Sequence, residues 1–302
     1  MRYFLSKSFI LIIIIAISTI CLKYLLPFEK NYNSAMVDKL ELLQKNKAKQ
    51  KILLIGGSSV GWGLSAEQIQ NATSITTINL GHHAGFGLLD YQDFVISCLT
   101  PNDIVIFSPE WDFYNNPDFF DTATLNDLHK NMTYLTITNK SLFTKVKSLF
   151  LRNISFSSNK VQDQNNPYIY NCLNKNGDVV SHCGINPKGP KQYQIAFSHF
   201  DMKLWISKFK YISKANCVLL MPPTQKSIYE KNKLSFDSLQ LIFNKCNINY
   251  VDRIIDNTYE EIDFFDAAYH LKCEIRTERT AKIIEYIKVF NTINQNAKAG
   301  LR

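Results

Sequence analysis

Several common signatures are absent from this chain, and each absence excludes a class of site. Its seven cysteines are not spaced for zinc. Gly61 is followed by Trp62, where a phosphate-binding loop needs Lys and then Ser or Thr. No internal repeat is evident, and the lysines and arginines do not form the clustered basic and aromatic face of a nucleic-acid module. We therefore expect no metal, no other cofactor and no nucleic-acid partner.

The composition suits a domain of enzyme size. The chain has 302 residues, of which 46% are hydrophobic, enough to bury a core in one or two domains. The net charge of +8 comes from lysines scattered over residues 39–51 and the C-terminal third. We interpret it as a solvated basic surface, which would also be drawn toward anionic lipid headgroups or acidic surface polymers.

The most informative stretch is the apolar run from Lys51 to Ile55, which stops at Gly56-Gly57-Ser58-Ser59. This pattern predicts a buried parallel strand, and ligands bind at the carboxyl ends of such strands in open α/β sheets. Three interpretations of the turn remain open. It could hold a nucleophilic serine, it could be a dinucleotide loop with an alanine in place of the third glycine, or it could simply end the strand.

A second pattern near the end of the chain favours the nucleophile. Asp266 precedes His270 by four residues, just ahead of a predicted helical tail. A catalytic serine needs such a pair, because the imidazole takes its proton while the carboxylate orients the imidazole. Asp263 is an alternative orienting acid.

These motifs together resemble the SGNH (GDSL-like) hydrolase superfamily, most closely its membrane-anchored bacterial members associated with acylation of cell-surface polysaccharides. The resemblance covers Lys51 to Ile287 except the middle, and it rests on Ile55 to Val60, Gly63-Leu64-Ser65, Asn79-Leu80-Gly81, Ala84-Gly85, Ser108-Pro109-Glu110, Phe265-Asp266, Tyr269-His270-Leu271 and Arg276-Thr277.

The resemblance implies a role for each matched position. Ser58 would be the nucleophile, preceded by Gly57 where the family usually has aspartate. The backbone N–H of Gly85 would help form the oxyanion hole, and Asp266 with His270 would complete the triad. The implied fold is a three-layer, flavodoxin-like parallel sheet.

Two departures from the family affect this transfer. Glu110 stands where the third block normally offers an oxyanion-hole asparagine, and an ionised glutamate cannot donate that hydrogen bond. We expect Glu110 either to turn toward a substrate hydroxyl or Arg276, or to stay neutral and donate. The second departure is the spacing from Asp266 to His270, which is one residue longer than the usual Asp-x-x-His.

The N-terminus predicts a membrane anchor. Residues Ser8 to Leu26 are almost wholly apolar, about the ~20 residues that cross a ~30 Å hydrocarbon layer. No small-residue cleavage site follows Leu26, which favours an uncleaved anchor over a signal peptide. Arg2 and Lys7 precede the span, so the N-terminus is expected in the cytoplasm and the domain outside a bacterial cell membrane.

In an oxidising compartment, Cys172 and Cys183 could pair. They bracket an Asn-Gly hairpin signal that would bring the two strands of a short β-ribbon together. Sequence alone leaves this pairing open. We expect the neighbouring His82 and His83 to be a loop feature rather than a metal site.

The domain organisation follows from these features. We predict a cytoplasmic tip and anchor at 1–30, a juxtamembrane linker at 31–50, a catalytic domain at 51–292 and a C-terminal tail at 293–302. From Lys51 the strand and helix patterns alternate, which predicts a parallel sheet with a short fifth strand at Tyr250-Val251-Asp252. The alternation disappears at about 114–199, which predicts an insertion over the sheet edge.

Two functions from different classes remain. The first is an O-acyl transferase, most simply an O-acetyl transferase, or an esterase that acts on a cell-envelope polysaccharide through Ser58, with membrane lipid and a multispanning membrane acyltransferase as further partners. The second is a non-catalytic, membrane-tethered binding or assembly protein on a degenerate fold. Transferase and esterase share the same acyl-enzyme and differ only in the acceptor.

Overall fold

In a computed structural model, residues 7–11, 13–14, 17–18, 30–145, 166–190, 200–212 and 216–299 are described. Four parallel strands form the central sheet in the order β2-β1-β3-β4. Their bounds are β1 Lys51–Gly56, β2 Thr76–Asn79, β3 Ile104–Ser108 and β4 Cys217–Leu219. The predicted α/β class with a parallel sheet is thus confirmed, and the strand order is compatible with a flavodoxin-like fold.

Helices lie between and beyond the strands. Their bounds are Ala35–Lys45, Ser58–Gly61, Ala66–Thr73, Gln92–Ser97, Trp111–Asn115, Thr122–His129, Met132–Ile137, Met202–Lys208, Lys226–Lys231, Lys233–Lys245 and Cys273–Ala299. The predicted fifth strand is reduced to a single parallel bridge between Leu219 and Tyr250. A second small parallel sheet, β5 Thr224–Gln225 with β6 Thr258–Tyr259, was not predicted, because two-residue strands carry no periodic signal.

The central sheet is buried on both faces, as its unbroken apolar strands predict. Leu53, Ile55 and Val105 pack into the larger cluster on one face. Ile52 and Leu54 point to the opposite face, where they meet Ile283 and Ile287 of the last helix.

Residues 31–50 are part of the folded domain rather than a linker. Helix Ala35–Lys45 buries Met36, Leu40 and Leu43 completely in the larger core cluster. Lys39 of the same helix is also fully buried, and its Nζ donates to the carbonyl oxygen of Gly81. The lysine-rich composition concealed this apolar stripe.

The segment predicted as an insertion is described in two pieces, and residues 146–165 and 191–199 lie outside the described part. The predicted hairpin is present, with an antiparallel bridge between Leu173 and Val179 and Gly177 at a φ of +84°. Asp178 fastens it to the core by accepting from the backbone N–H of Ala66 at 2.7 Å and from Asn79 Nδ2 at 2.9 Å.

The considered disulfide between Cys172 and Cys183 is wrong. Cys183 is bonded to Cys273 at the start of the last helix, and Cys172 is a buried free thiol. Across the ribbon Cys172 pairs with Val180, whose N–H donates to its carbonyl oxygen at 2.7 Å, rather than with Cys183. The fold instead brings together two cysteines that are 90 residues apart.

Most of the predicted membrane span lies outside the described residues. Those that are described within it, 8–11, 13–14 and 17–18, are helical. Among the residues that could be searched, no helix is both long and apolar enough to cross a membrane.

Candidate active site

Ser58 lies at the carboxyl end of β1, as the sequence predicts. It opens a four-residue helical turn, Ser58–Gly61, immediately after the strand. A Cβ at Gly56 would lie 2.2 Å from the carbonyl oxygen of Ser108, so the end of β1 requires glycine to pack against β3. This packing brings the residues that follow β1 and β3 to one edge of the sheet.

Glu110 follows β3 and contacts the turn directly. Its Oε1 accepts a hydrogen bond from Ser58 Oγ at 2.9 Å and another from the backbone N–H of Ser59 at 2.7 Å. The expected contact of Glu110 with Arg276 is wrong, because Arg276 donates to the carbonyl oxygen of Val179 instead. The carboxylate of Glu110 accepts the hydrogen bond of the Ser58 hydroxyl, the predicted nucleophile.

The surroundings of Glu110 strongly perturb its ionisation. The residue is 1% exposed, and burial raises the pKa of its carboxyl to about 7, although the hydrogen bonds from Ser59 and Ser58 oppose the rise. Its protonation therefore changes near neutral pH.

Asp266 and His270 form the predicted acid and imidazole pair. His270 Nδ1 lies 2.8 Å from Asp266 Oδ1, so the extra residue between them does not prevent contact. Asp263, the alternative acid, instead caps a short 3₁₀ turn by accepting from the N–H of Glu260.

Tyr168 contacts this pair from the hairpin segment, residues 166–190. Its hydroxyl donates to Asp266 Oδ2 at 2.7 Å and lies 3.3 Å from His270 Nδ1. Burial alone would raise the pKa of Asp266, but the hydrogen bonds from His270 and Tyr168 and the charge of His270 lower it. Asp266 is therefore ionised at neutral pH, and its carboxylate orients the His270 ring.

Trp62 connects the serine turn to the histidine. Its ring stacks on His270 with centroids 4.3 Å apart and 7° between the planes. The backbone N–H of Trp62 donates to the carbonyl oxygen of Ser58 at 2.9 Å, so Trp62 lies one helical turn after Ser58. Ser58 and His270 therefore share one small region, although no hydrogen bond joins Ser58 Oγ to His270 in the described part of the chain.

Tyr32, near the N-terminus, holds the Trp62 ring in place through a hydrogen bond. Tyr32 Oη accepts from Trp62 Nε1 at 3.0 Å, and the Tyr32 ring stacks on His82 at 4.1 Å. His82 Nε2 donates to the carbonyl oxygen of Tyr32 at 2.8 Å. Burial lowers the pKa of His82 well below its usual value, so this histidine is a neutral structural residue.

The backbone N–H of Gly85, predicted to line an oxyanion hole, has a protein acceptor. It donates to His83 Nδ1 at 2.9 Å. A substrate oxyanion could use this N–H only after the His83 ring turned away. Burial lowers the pKa of His83, and the nearby His270 lowers it further.

Arg276 is directed away from the predicted cleft. Its Nη1 donates to the carbonyl oxygen of Val179 at 2.7 Å and its Nη2 lies 3.6 Å from Cys183 Sγ. Arg276 and Glu110 share no hydrogen bond or ion pair within the residues described. The guanidinium holds the hairpin segment against the last helix beside the disulfide.

The site also contains Tyr168, Trp62 and the buried Arg279, whose roles the sequence did not predict. Arg279 donates to the carbonyl oxygens of Ser59 and Gly63, each at 3.3 Å, and so fixes the turn that carries Ser58. Only the conspicuous Gly-Trp-Gly sequence around Trp62 gave any signal beforehand. Tyr168 and Arg279 lie in stretches without a motif.

Comparisons with protein-family models, with curated proteins and with solved structures found no match for this chain.

Proposed function

We propose that this chain is a serine-dependent acyl-transfer enzyme of SGNH type that acts on hydroxyl groups of a cell-envelope polysaccharide. Ser58 accepts the acyl group, and Asp266 with His270 handles protons at the reacting oxygens. The acceptor is a glycan hydroxyl in a transferase and water in an esterase.

One observation carries this proposal. Trp62 is one helical turn from Ser58 and stacks on His270, which is itself hydrogen bonded to an ionised Asp266. A serine at a strand end, a histidine within the same small region and a carboxylate behind that histidine are the components of nucleophilic acyl transfer. The basic net charge of +8 suits an acidic polymer or an anionic membrane surface.

A binding protein without catalytic activity is the second candidate, and two contacts favour it. Glu110 already accepts the hydrogen bond of Ser58, and the N–H of Gly85 donates to His83. In that case the site would hold a ligand without forming an acyl-enzyme.

A serine-reactive fluorophosphonate probe distinguishes the two. The full-length protein in detergent should be labelled, and Ser58→Ala should abolish labelling. Ser59→Ala is the matched control, because Ser59 is buried next to Ser58 and the variant keeps the backbone N–H that donates to Glu110. Labelling that persists in Ser58→Ala would exclude Ser58 as the nucleophile, and a complete lack of labelling in the wild type would favour the binding protein.

The proposed location is the outer face of a bacterial membrane, with residues 8–26 as an uncleaved anchor. The Cys183–Cys273 disulfide supports this location, because disulfides persist mainly in oxidising compartments. Protease added to spheroplasts should digest the domain, and alkaline washing should not release it from membranes. Recovery of a soluble, N-terminally trimmed protein would contradict the anchor.

A further inference from the structure

The hydroxyl of Ser58 has a buried carboxylate as its partner. Glu110 Oε1 receives the Ser58 hydroxyl at 2.9 Å, whereas His270 makes its close contacts with Asp266, Tyr168 and the Trp62 ring. A general base must lie within about 2.6–3.2 Å of the proton that it removes. Within the described residues, Glu110 meets this requirement for Ser58.

We propose that Glu110 is a catalytic residue and the general base for Ser58, and that the Asp266–His270 pair serves the oxygen of the acyl donor and then the oxygen of the acceptor. This inference rests on the proposed acyl transfer and divides its proton transfers between two separate groups.

The protons balance over one cycle. Ser58 Oγ attacks the carbonyl carbon of the donor ester while its proton passes to the Glu110 carboxylate. The donor C–O bond then breaks, and the leaving oxygen takes a proton from protonated His270. In the second half, the acceptor hydroxyl loses its proton to neutral His270 and attacks the acyl carbon. The Ser58 oxygen leaves and recovers its proton from Glu110, so both groups return to their starting states.

The environment of Glu110 suits this role. A base works best when its pKa lies near the working pH, and burial raises the pKa of Glu110 to about 7. The N–H of Ser59 fixes the carboxylate in place at 2.7 Å. The other titratable groups that interact with Glu110 are Asp112, whose charge raises its pKa further, and the hydroxyls of Tyr32 and Tyr91.

The arrangement at Gly57 supports the same conclusion. A Cβ on residue 57 would lie 2.5 Å from Glu110 Oε2. The glycine therefore leaves space that the carboxylate fills, next to the serine that it is proposed to deprotonate.

The test measures acylation separately from deacylation. Full-length protein in detergent is mixed rapidly with p-nitrophenyl acetate, whose leaving group needs no proton, and the nitrophenolate burst reports acylation. Glu110→Gln should slow the burst by about 100-fold or more, since general-base catalysis contributes about 10²–10⁴-fold. His270→Ala should keep the burst rate within about tenfold and instead slow release of the acyl group.

Two further variants distinguish loss of the general base from misfolding of the Glu110→Gln protein. Glu110→Asp keeps a carboxylate and should recover part of the burst that Glu110→Gln loses. Asp112→Asn removes the neighbouring charge, so the pH profile of the burst should shift to lower pH while the maximal rate is kept. The profile should persist in His270→Ala.

Each result decides the matter. A burst lost in His270→Ala and kept in Glu110→Gln would overturn the role of Glu110 and restore a conventional triad, leaving acyl transfer intact. A wild-type protein that gives neither a burst nor fluorophosphonate labelling would overturn the proposed function itself.

Discussion

A carboxylate oxygen of Glu110 lies where the side chain of residue 57 would begin, 2.5 Å from an ideal Cβ on Gly57. In the resemblance to the SGNH superfamily, Gly57 stands where the family usually has aspartate and Glu110 where it usually has asparagine. The structure relates these departures, because the space left by a missing side chain after β1 is filled by a carboxylate that follows β3. A side chain added at position 57 should therefore displace the Glu110 carboxylate.

Gly57→Ala should displace the Glu110 carboxylate and break its hydrogen bond with Ser58. Alanine at this position would place its Cβ against the Glu110 carboxylate. Loss of a hydrogen bond to a charged group, about 1.5–3 kcal/mol, should slow labelling of Ser58 by about tenfold or more. The measurement is the fluorophosphonate labelling rate, and an unchanged rate would show that the carboxylate can move without consequence.

Glu110→Gln should alter the pH dependence of stability. The pKa of Glu110 rises from its usual 4.5 to about 7 on folding, so the folded state binds this proton more tightly than the unfolded state. The wild type should therefore lose stability as the pH rises from about 4.5 to about 7, by on the order of 3 kcal/mol from this group.

The glutamine variant lacks that loss. Its free energy of unfolding relative to the wild type, measured by urea denaturation, should increase between pH 4.5 and pH 8. Ser58→Ala is the control, because it keeps the buried carboxyl and should keep most of the pH dependence. A constant difference between Glu110→Gln and the wild type would show that the Glu110 carboxyl has no raised pKa.

Tyr168→Phe should impair the Asp266–His270 pair. The substitution removes the hydroxyl that donates to Asp266 at 2.7 Å and leaves the ring in place. We expect acyl release to slow by about tenfold, from a charged hydrogen bond of about 1.5 kcal/mol. Tyr170→Phe is a matched control, since the Tyr170 hydroxyl bonds to Asp38 instead and should not affect the rate. Equal rates of acyl release in Tyr168→Phe and Tyr170→Phe would show that the Tyr168 hydroxyl has no role in the reaction.

Loss of the Cys183–Cys273 disulfide should destabilise the domain by about 4 kcal/mol, because the bond closes a loop of 90 residues in the unfolded chain. The double variant Cys183→Ser, Cys273→Ser should unfold at lower denaturant concentration, as should the reduced wild type. Cys246→Ser provides the control, since Cys246 is an exposed free thiol. Peptide mapping that finds Cys172 bonded to Cys183 would contradict the structure.

The sequence by itself determined the elements whose signals are local. Ile52 to Ile55 is apolar, contains two β-branched residues and is ended by glycine, so β1 and the serine turn could be placed without a structure. Asp266 and His270 lie four residues apart, close enough along the chain for their pairing to be expected. The parallel sheet followed from the alternation of strand and helix patterns.

Tertiary structure alone decided the contacts between distant segments. These contacts join residues that are far apart in the chain. They give Glu110 its partners, stack Trp62 on His270, bring Tyr168 to Asp266 and bond Cys183 to Cys273. The sequence predicts a juxtamembrane helix and linker at 31–50, but the burial of helix Ala35–Lys45 in the core depends on the surfaces that it meets. Local sequence specifies the backbone conformation of a turn or strand, whereas side-chain partners are fixed only when the whole core packs and each buried polar group must find an acceptor or donor.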